Sequence, residues 1–386
     1  MKVFVIAGEA SGDALGAAVM AGLRTERPGG LEFEGIGGPL MAREGLRSLF
    51  AMEELSVMGL AEIVPRYLSL RRRLSQTVEA VLAARPDVLL TIDSPEFCLR
   101  VAGKVRAIAP EVRIVHYVAP SIWAWRPGRA DRLARRVDQV LALLPFEPPM
   151  LEIAGVDCDF VGHPVVAEPV ASADAARDFR ATYDIGDAPM VVVLPGSRKG
   201  EVRRIGPVLG EALARIAGER RGLRIVVPTA PAVAGEVEAM AADWPGWPIV
   251  LAPATDSVTL AAKRAAFAAA DAALAASGTV SLELAAAGTP MVIAYDMHWL
   301  SRAIISRLLT VDTVTLVNLV SDARVVPEFL GRNCRPEPIA AALGEVLDAP
   351  ETQTDALDLT MERLGRGGDP PGLRAARAIL ARMPPG

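Results

Sequence analysis

Apolar residues along this chain fall into short runs of strand length, and between the runs they recur every three to four positions. KVFVIA (2–7), DVLLTID (87–93), RIVHYVA (113–119) and QVLALLP (139–145) are near-continuous hydrophobic stretches, with shorter ones at FEGIGG (33–38) and DCDFVG (157–162). Helical spacing follows Gly12 and returns over 67–84, 97–108 and 126–137. Strands without polar alternation, separated by amphipathic helices, predict a parallel sheet covered on both faces.

The pattern lapses at HPVVAEPVASAD (163–174), which reads as a linker because it has two prolines and no period. It then restarts with PMVVVLPGS (189–197), RIVVPTA (224–230), WPIVLAP (247–253), AALAASG (272–278), PMVIAYD (290–296) and TVTLVNL (313–319), with helices between, among them 259–269 and 280–287. From 336 the chain reads as helical, with a break at Pro370–Pro371. The expected organisation is two α/β domains of Rossmann type, 1–165 and 175–345. A helical tail, 346–386, is expected to pack back on the first domain or to swap into a homodimer. Open parallel sheets bind ligands outside the carboxyl ends of their strands. Two such sheets facing across a cleft would put the informative residues just after the strands.

Composition narrows the class further. The chain has 386 residues, 51% hydrophobic, 23% charged and only 5% aromatic, enough for two ordinary globular domains. Net charge is −5, unevenly spread: the first 150 residues hold 19 Lys and Arg against 17 Asp and Glu, leaving 22 against 29 for the rest. The first half therefore leans toward an anionic partner, though surface fields are screened by salt. Cys98, Cys158 and Cys334 are isolated, which fits a reducing compartment. The start does not read as a signal peptide, and the most apolar long stretch, 265–282, is broken by Asp271, Ser277 and Gly278. Three scattered histidines, His116, His163 and His298, with no paired cysteines or HExxH, give no metal site.

Five strand-end or loop segments carry candidate chemistry. In LPGSRKGE (194–201), Gly196 and Ser197 turn a strand into a helix and Arg198 adds a permanently charged fork; this is either an anion site or a helix cap with a solvated arginine. In AASGTVSLE (275–283), Ser277, Gly278 and Thr279 open another helix, and Glu283 lies one turn on, placed to accept ribose hydroxyls or simply to sit in a first turn. In LLTIDSPEF (89–97), Asp93 ends a strand before Ser94–Pro95, as a general base or as a helix cap. HYVAPSIWAWRPGR (116–129) makes a stiff loop with Trp123 and Trp125, a sugar or acyl wall or plain packing. SVMGLAEIVPRYLSLRRRL (56–74) sets Val57, Met58, Val64 and Leu68 beside Arg71, Arg72 and Arg73, either a membrane-surface segment or a half-buried basic helix. At the start, GEASGD (8–13) resembles a phosphate grip but carries two carboxylates, so Gly8, Glu9, Ser11 and Asp13 read as ligand contacts rather than chemical groups.

Taken together, AGEASGD, MEELSVMGLAEI, IDSPEFCLR, HYVAPSIWAW, FVGHP, LPGSRKGEV, AASGTVSLE and VNLV, in order from Val5 to Val320, resemble the lipid-A-disaccharide synthases, glycosyltransferase family 19. The resemblance implies the glycosyltransferase-B fold. It implies an inverting enzyme that joins UDP-2,3-diacylglucosamine to 2,3-diacylglucosamine 1-phosphate in a β-1,6 linkage and releases UDP. No metal or other cofactor is implied and no nucleic acid. The implied location is cytoplasmic, peripheral on the anionic inner face of a Gram-negative inner membrane. Asp93 would be the base for the acceptor hydroxyl. Arg198, with Gly196 and Ser197, would stabilise the departing diphosphate, while Ser277, Gly278, Thr279, Glu283 and Asn318 would line the nucleotide pocket. Two rivals remain: a UDP-N-acetylglucosamine 2-epimerase-like enzyme on the same fold, and a two-lobed UDP-sugar binder without catalysis. Neither would need an apolar basic segment like 56–74.

Overall fold

The structure, a computed structural model, describes residues 1–55, 60–120, 128–296 and 312–383. The chain forms two compact units, Met1–Ala167 with Gly367–Gly386, and Glu168–Arg366. In the first, β1 (Lys2–Ala7), β2 (Glu32–Ile36), β3 (Arg47–Ser48), β4 (Val88–Ile92), β5 (Arg113–Tyr117), β6 (Gln139–Ala142) and β7 (Asp157–Phe160) form one sheet in the order β3-β2-β1-β4-β5-β6-β7. In the second, β8 (Met190–Leu194), β9 (Arg224–Pro228), β10 (Ile249–Leu251), β11 (Ala272–Ala276), β12 (Met291–Tyr295) and β13 (Glu328–Leu330) form another, ordered β10-β9-β8-β11-β12-β13. All described pairings are parallel. The central strands β4, β8 and β11 bury every residue, as expected where helices cover both faces.

Two stretches fold differently from the reading of their pattern. TVTLVNL is not a strand: Leu316–Ser321 is helical, and its place in the sheet is taken by β13, a run of only partly buried residues. The apolar positions of LVNLV satisfy either period. The helix is favoured because Val317, Asn318, Val320 and Ser321 are all buried by it. At the amino end, the first helix, Ala10–Glu26, begins before Gly12, so that only Gly8 and Glu9 form the turn after β1.

The tail divides between the units. Helix Thr354–Arg363 packs on helices Leu316–Ser321 and Val280–Ala286 of the second unit, whereas helix Pro371–Ala381 packs along Ala10–Glu26 of the first. That second crossing brings backbone against backbone. A Cβ on Gly22 would lie 2.6 Å from the Gly372 carbonyl oxygen, and one on Gly372 would lie 2.6 Å from that of Ala18. Polar contacts fix the register: Arg377 pairs with Glu26 at 2.8 Å, Arg382 with Asp159 at 2.8 Å, and Gln139 donates to the Ala378 carbonyl at 3.0 Å. Because neither helix can retreat without breaking these contacts, Gly22→Val or Gly372→Val should destabilise the first unit by about 2 kcal/mol or more. Urea unfolding followed by circular dichroism reads this directly.

Candidate active site

The second unit holds an open cavity of about 520 Å³, within the range of small-ligand sites. It lies at the carboxyl ends of β8, β9 and β11, and its wall includes Gly196, Ser197, Arg198, Ser277, Gly278, Thr279 and Glu283. Two loops far apart in sequence thus meet, because β8 and β11 are neighbours in the sheet. Each turns on a glycine at positive φ, +108° at Gly196 and +153° at Gly278. At Gly196 a Cβ would also lie 2.8 Å from Glu201 Oε2 and 3.0 Å from its Cβ, so a side chain there would be both strained and crowded. After it, Arg198 caps the 21-residue helix Lys199–Glu219, whose first amides have no carbonyl within the helix to accept them. An anion is favoured there by unpaired donors and by the helix dipole.

The two cations on the wall are held very differently. Arg198 is 63% exposed and only loosely tied to Glu201, at 3.4 Å. Lys263, from helix Ser257–Ala269, sits 2.6 Å from Glu283 Oε2 and is 25% exposed. Arg198 is therefore available to a ligand, and Lys263 is committed. Pro228, Ala230, Pro231, Ala254 and Leu260 also line the cavity and supply apolar surface suited to the face of a base. Tyr295, at the end of β12, has a pKa raised by burial and then by Glu201, against the pull of Arg198 and Arg204, and so is a neutral phenol near the same loop. Among the described residues no cluster of three His, Cys, Asp or Glu side chains offers a metal site. Sequence reading missed Lys263 and Tyr295. A single lysine in an apolar helix, and a tyrosine ending a strand run, were the only available signals.

Asn318 is not on this wall. It is fully buried, donates to the Val326 carbonyl at 2.9 Å and accepts from the Val326 amide at 3.1 Å. The VNL asparagine holds the chain on its way into β13; its amide nitrogen and oxygen are both engaged within the fold.

In the first unit, Asp93 (φ +50°) and Ser94 (φ +43°) follow β4 in consecutive left-handed conformations, and Val118 (φ +77°) follows the adjacent β5. Such conformations cost about 1–2 kcal/mol each for non-glycine residues and cluster at functional sites. Pro95 excludes the right-handed helical region at Ser94. The cap of helix Pro95–Ile108 is Ser94 and not Asp93. The Asp93 amide donates to the Tyr117 carbonyl at 2.9 Å, while no described side chain or amide takes up its carboxylate, which is half-buried. A carboxylate held rigidly and left unspent can accept a proton from a ligand. His116, in the same neighbourhood, cannot serve that way: it is fully buried, 2.8 Å from Thr91 Oγ1, and burial lowers its pKa to about 4.

The GEASGD residues divide. Gly8 passes close to the Asp93–Ser94 turn, since a Cβ on it would lie 2.7 Å from Ser94 Oγ. Glu9 is half-buried and Ser11 is exposed. Asp13 is not a ligand contact: it is 2% exposed and its carboxylate accepts the amides of Gly38, Leu40 and Met41 at 2.9, 2.9 and 3.0 Å. It thereby caps the short helix Pro39–Arg43 from the neighbouring element. Trp123 and Trp125, and Val57 and Met58, lie outside the described residues; Val64 falls in helix Leu60–Ala84, but its side chain is outside them too. On that helix Leu68 is 77% exposed and Arg71 and Arg72 are exposed. Arg73 is corrected from membrane contact to structural tie: it makes a two-pronged pair with Glu54 (2.8 and 2.6 Å), bonds Gln76 at 2.7 Å and covers the Phe50 ring at 4.4 Å.

Known proteins match this chain over its whole length. The family model for lipid-A-disaccharide synthetase matches residues 3–366. A lipid-A-disaccharide synthase of Ruegeria pomeroyi is 59% identical over 386 residues, covering 100% of this chain and 96% of its own. One of Rhodospirillum centenum is 47% identical over 384 residues, covering 98% and 94%. Among solved structures, a complex of S. aureus MnaA with UDP superposes with a TM-score of 0.64 at 13% identity, covering 98% of this chain and 94% of that one. MurG of Acinetobacter baumannii gives 0.58 at 14% identity, covering 99% of each. At such identities the structures speak for the fold alone, the two-domain glycosyltransferase-B architecture.

The reassignment of Asp13 is open to measurement. Asp13→Asn leaves three amides short of a charged acceptor and should lower unfolding free energy by about 1.5–3 kcal/mol in urea titration, with substrate KM unchanged in the folded fraction.

Proposed function

The chain belongs to the lipid-A-disaccharide synthase family and is a glycosyltransferase of lipid A biosynthesis; from that premise we propose that it transfers 2,3-diacylglucosamine from its UDP-activated form onto 2,3-diacylglucosamine 1-phosphate. The observation that carries this is the cavity of the second unit, where a freely presented Arg198, a helix amino end and two glycine turns form a cradle for a diphosphate, with Glu283 and an apolar wall for the nucleoside. UDP is its occupant and the leaving group of the donor.

In this scheme the acceptor's 6-hydroxyl oxygen attacks the anomeric carbon of the donor sugar on the face opposite the diphosphate. The carbon–oxygen bond to the β-phosphate breaks, UDP departs, and the configuration inverts to the β linkage. Asp93 takes the hydroxyl proton as the new bond forms. Arg198 and the amides after Gly196 hold the charge growing on the diphosphate, which spares the reaction a divalent cation. Ser197 and the Ser277–Thr279 turn orient the phosphates. A 2-epimerase reading would require acid and base groups at the sugar's C2 and is not favoured by the relatives' identity.

The acyl chains are drawn from a bilayer. Leu68, Arg71 and Arg72 are the described residues best suited to meet its anionic surface, with the enzyme peripheral on the inner face of the inner membrane. No described helix is long and apolar enough to cross it.

Asp93→Asn, assayed with EDTA present, should lower kcat by about 10²–10⁴-fold while the Kd for UDP stays within twofold of the parent. A variant keeping a tenth of the parent rate removes Asp93 from the role of base. Replacing Leu68, Arg71 and Arg72 together by Ser should weaken sedimentation with vesicles containing phosphatidylglycerol by roughly tenfold or more without altering UDP binding.

A further inference from the structure

Lys263 has no part in the scheme above, yet it is the most tightly held cation on the cavity wall. Its Nζ lies 2.6 Å from Glu283 Oε2 and 5.3 Å from the centre of the Phe267 ring. Both members of the pair are largely shielded, 25% exposed for Lys263 and 33% for Glu283. A second carboxylate stands nearby: Glu168, itself paired with Arg264 at 4.0 Å, has a pKa raised first by burial and then by the charge of Glu283. Without Lys263 beside it, repulsion from Glu168 would turn the Glu283 carboxylate away from the cavity. With Lys263 bound to Oε2, the other oxygen, Oε1, has no hydrogen-bond partner among the described residues, and Glu283 lines the cavity.

We propose that Lys263 is a positioning residue that fixes Glu283 by one oxygen so that the other is presented to the ribose hydroxyls, and that this pair sets the preference for a ribonucleotide donor. The inference rests on the reading of Glu283 as the ribose acceptor. A lysine aimed at the phosphates would do something else: it would strengthen binding of any nucleoside diphosphate, whatever its sugar.

The two roles separate in calorimetric titration of the full chain with UDP and with 2′,3′-dideoxy-UDP. The parent should favour UDP by about tenfold or more, the effect of losing a charge-assisted hydrogen bond. Lys263→Met should abolish most of that preference by weakening UDP alone, and Lys263→Arg should restore it; Lys263→Gln replaces Met if the latter does not fold. Glu283→Gln tells the two residues' roles apart. If it keeps the parent's preference, Glu283 does not hold the ribose and the underlying reading falls. If it loses the preference while Lys263→Met and Lys263→Gln retain it, only the role of Lys263 is overturned. Equal weakening of both ligands by Lys263→Met also overturns it, making the lysine a phosphate contact.

Discussion

What the candidate chemistry depends on is the geometry of the two or three residues that follow a parallel strand. There the backbone must leave the sheet, and a right-handed conformation would carry it straight into a helix. The two units solve this differently. In the second, Gly196 and Gly278 take the positive φ, which leaves no side chain over the backbone at either turn. In the first, Asp93, Ser94 and Val118 take it, although each side chain makes the conformation unfavourable by about 1–2 kcal/mol. Glycine would remove that strain and would also remove the carboxylate. The difference matches the chemistry proposed for each unit, with bare amides where an anion binds and a side chain where a proton moves.

The charges obey a similar division. An arginine 63% exposed keeps most of its hydration and is screened, so its pair with Glu201 at 3.4 Å holds it only weakly and a multiply charged ligand can displace that pair. Lys263 and Glu283 have lost much of their water, and separating them would leave one buried charge uncompensated. The first cation can therefore change partners easily, whereas the second is held to its partner.

Much of this was legible along the chain. The near-continuous runs at 2–7, 87–93, 113–119, 189–197 and 272–278 each contain a strand, because a strand buried on both faces leaves a pattern few other structures share. The glycine turns were legible for the same reason that they work: Gly after an apolar run, before a helix, has few other uses. Long-range assignments were not. Asp13 reads as a loop carboxylate until Gly38, Leu40 and Met41 arrive to bond it, 25 to 28 residues later. Asn318 reads as a pocket residue until Val326 takes its amide on both sides, and LVNLV fits two periods at once. Lys263 was invisible because its meaning lies wholly in Glu283, 20 residues on and on a different helix. In each case the deciding partner is fixed by tertiary packing, which local pattern does not encode.

The basic lean of the first 150 residues illustrates how a count differs from a surface. Of its arginines, Arg73 is spent on Glu54, Arg106 on Asp138, Arg100 on Glu96, and Arg24 on the Glu44 carbonyl. The surplus of two positive charges over that stretch is therefore a weak guide to where an anion would bind. Arg71 and Arg72 matter more, because they stay exposed beside an exposed leucine on one helix. Two arginines near an anionic leaflet supply about 2 kcal/mol, and one leucine entering the interface about 1.5–3 more. That sum, about 3.5–5 kcal/mol, corresponds to attachment with a Kd of about 0.2–3 mM, readily reversible. Under the proposed function, in which acyl chains hold the substrates and product in the bilayer, such weak attachment is sufficient. On that proposal the lipids would supply the residence, and the protein would need only to arrive in the right orientation and leave.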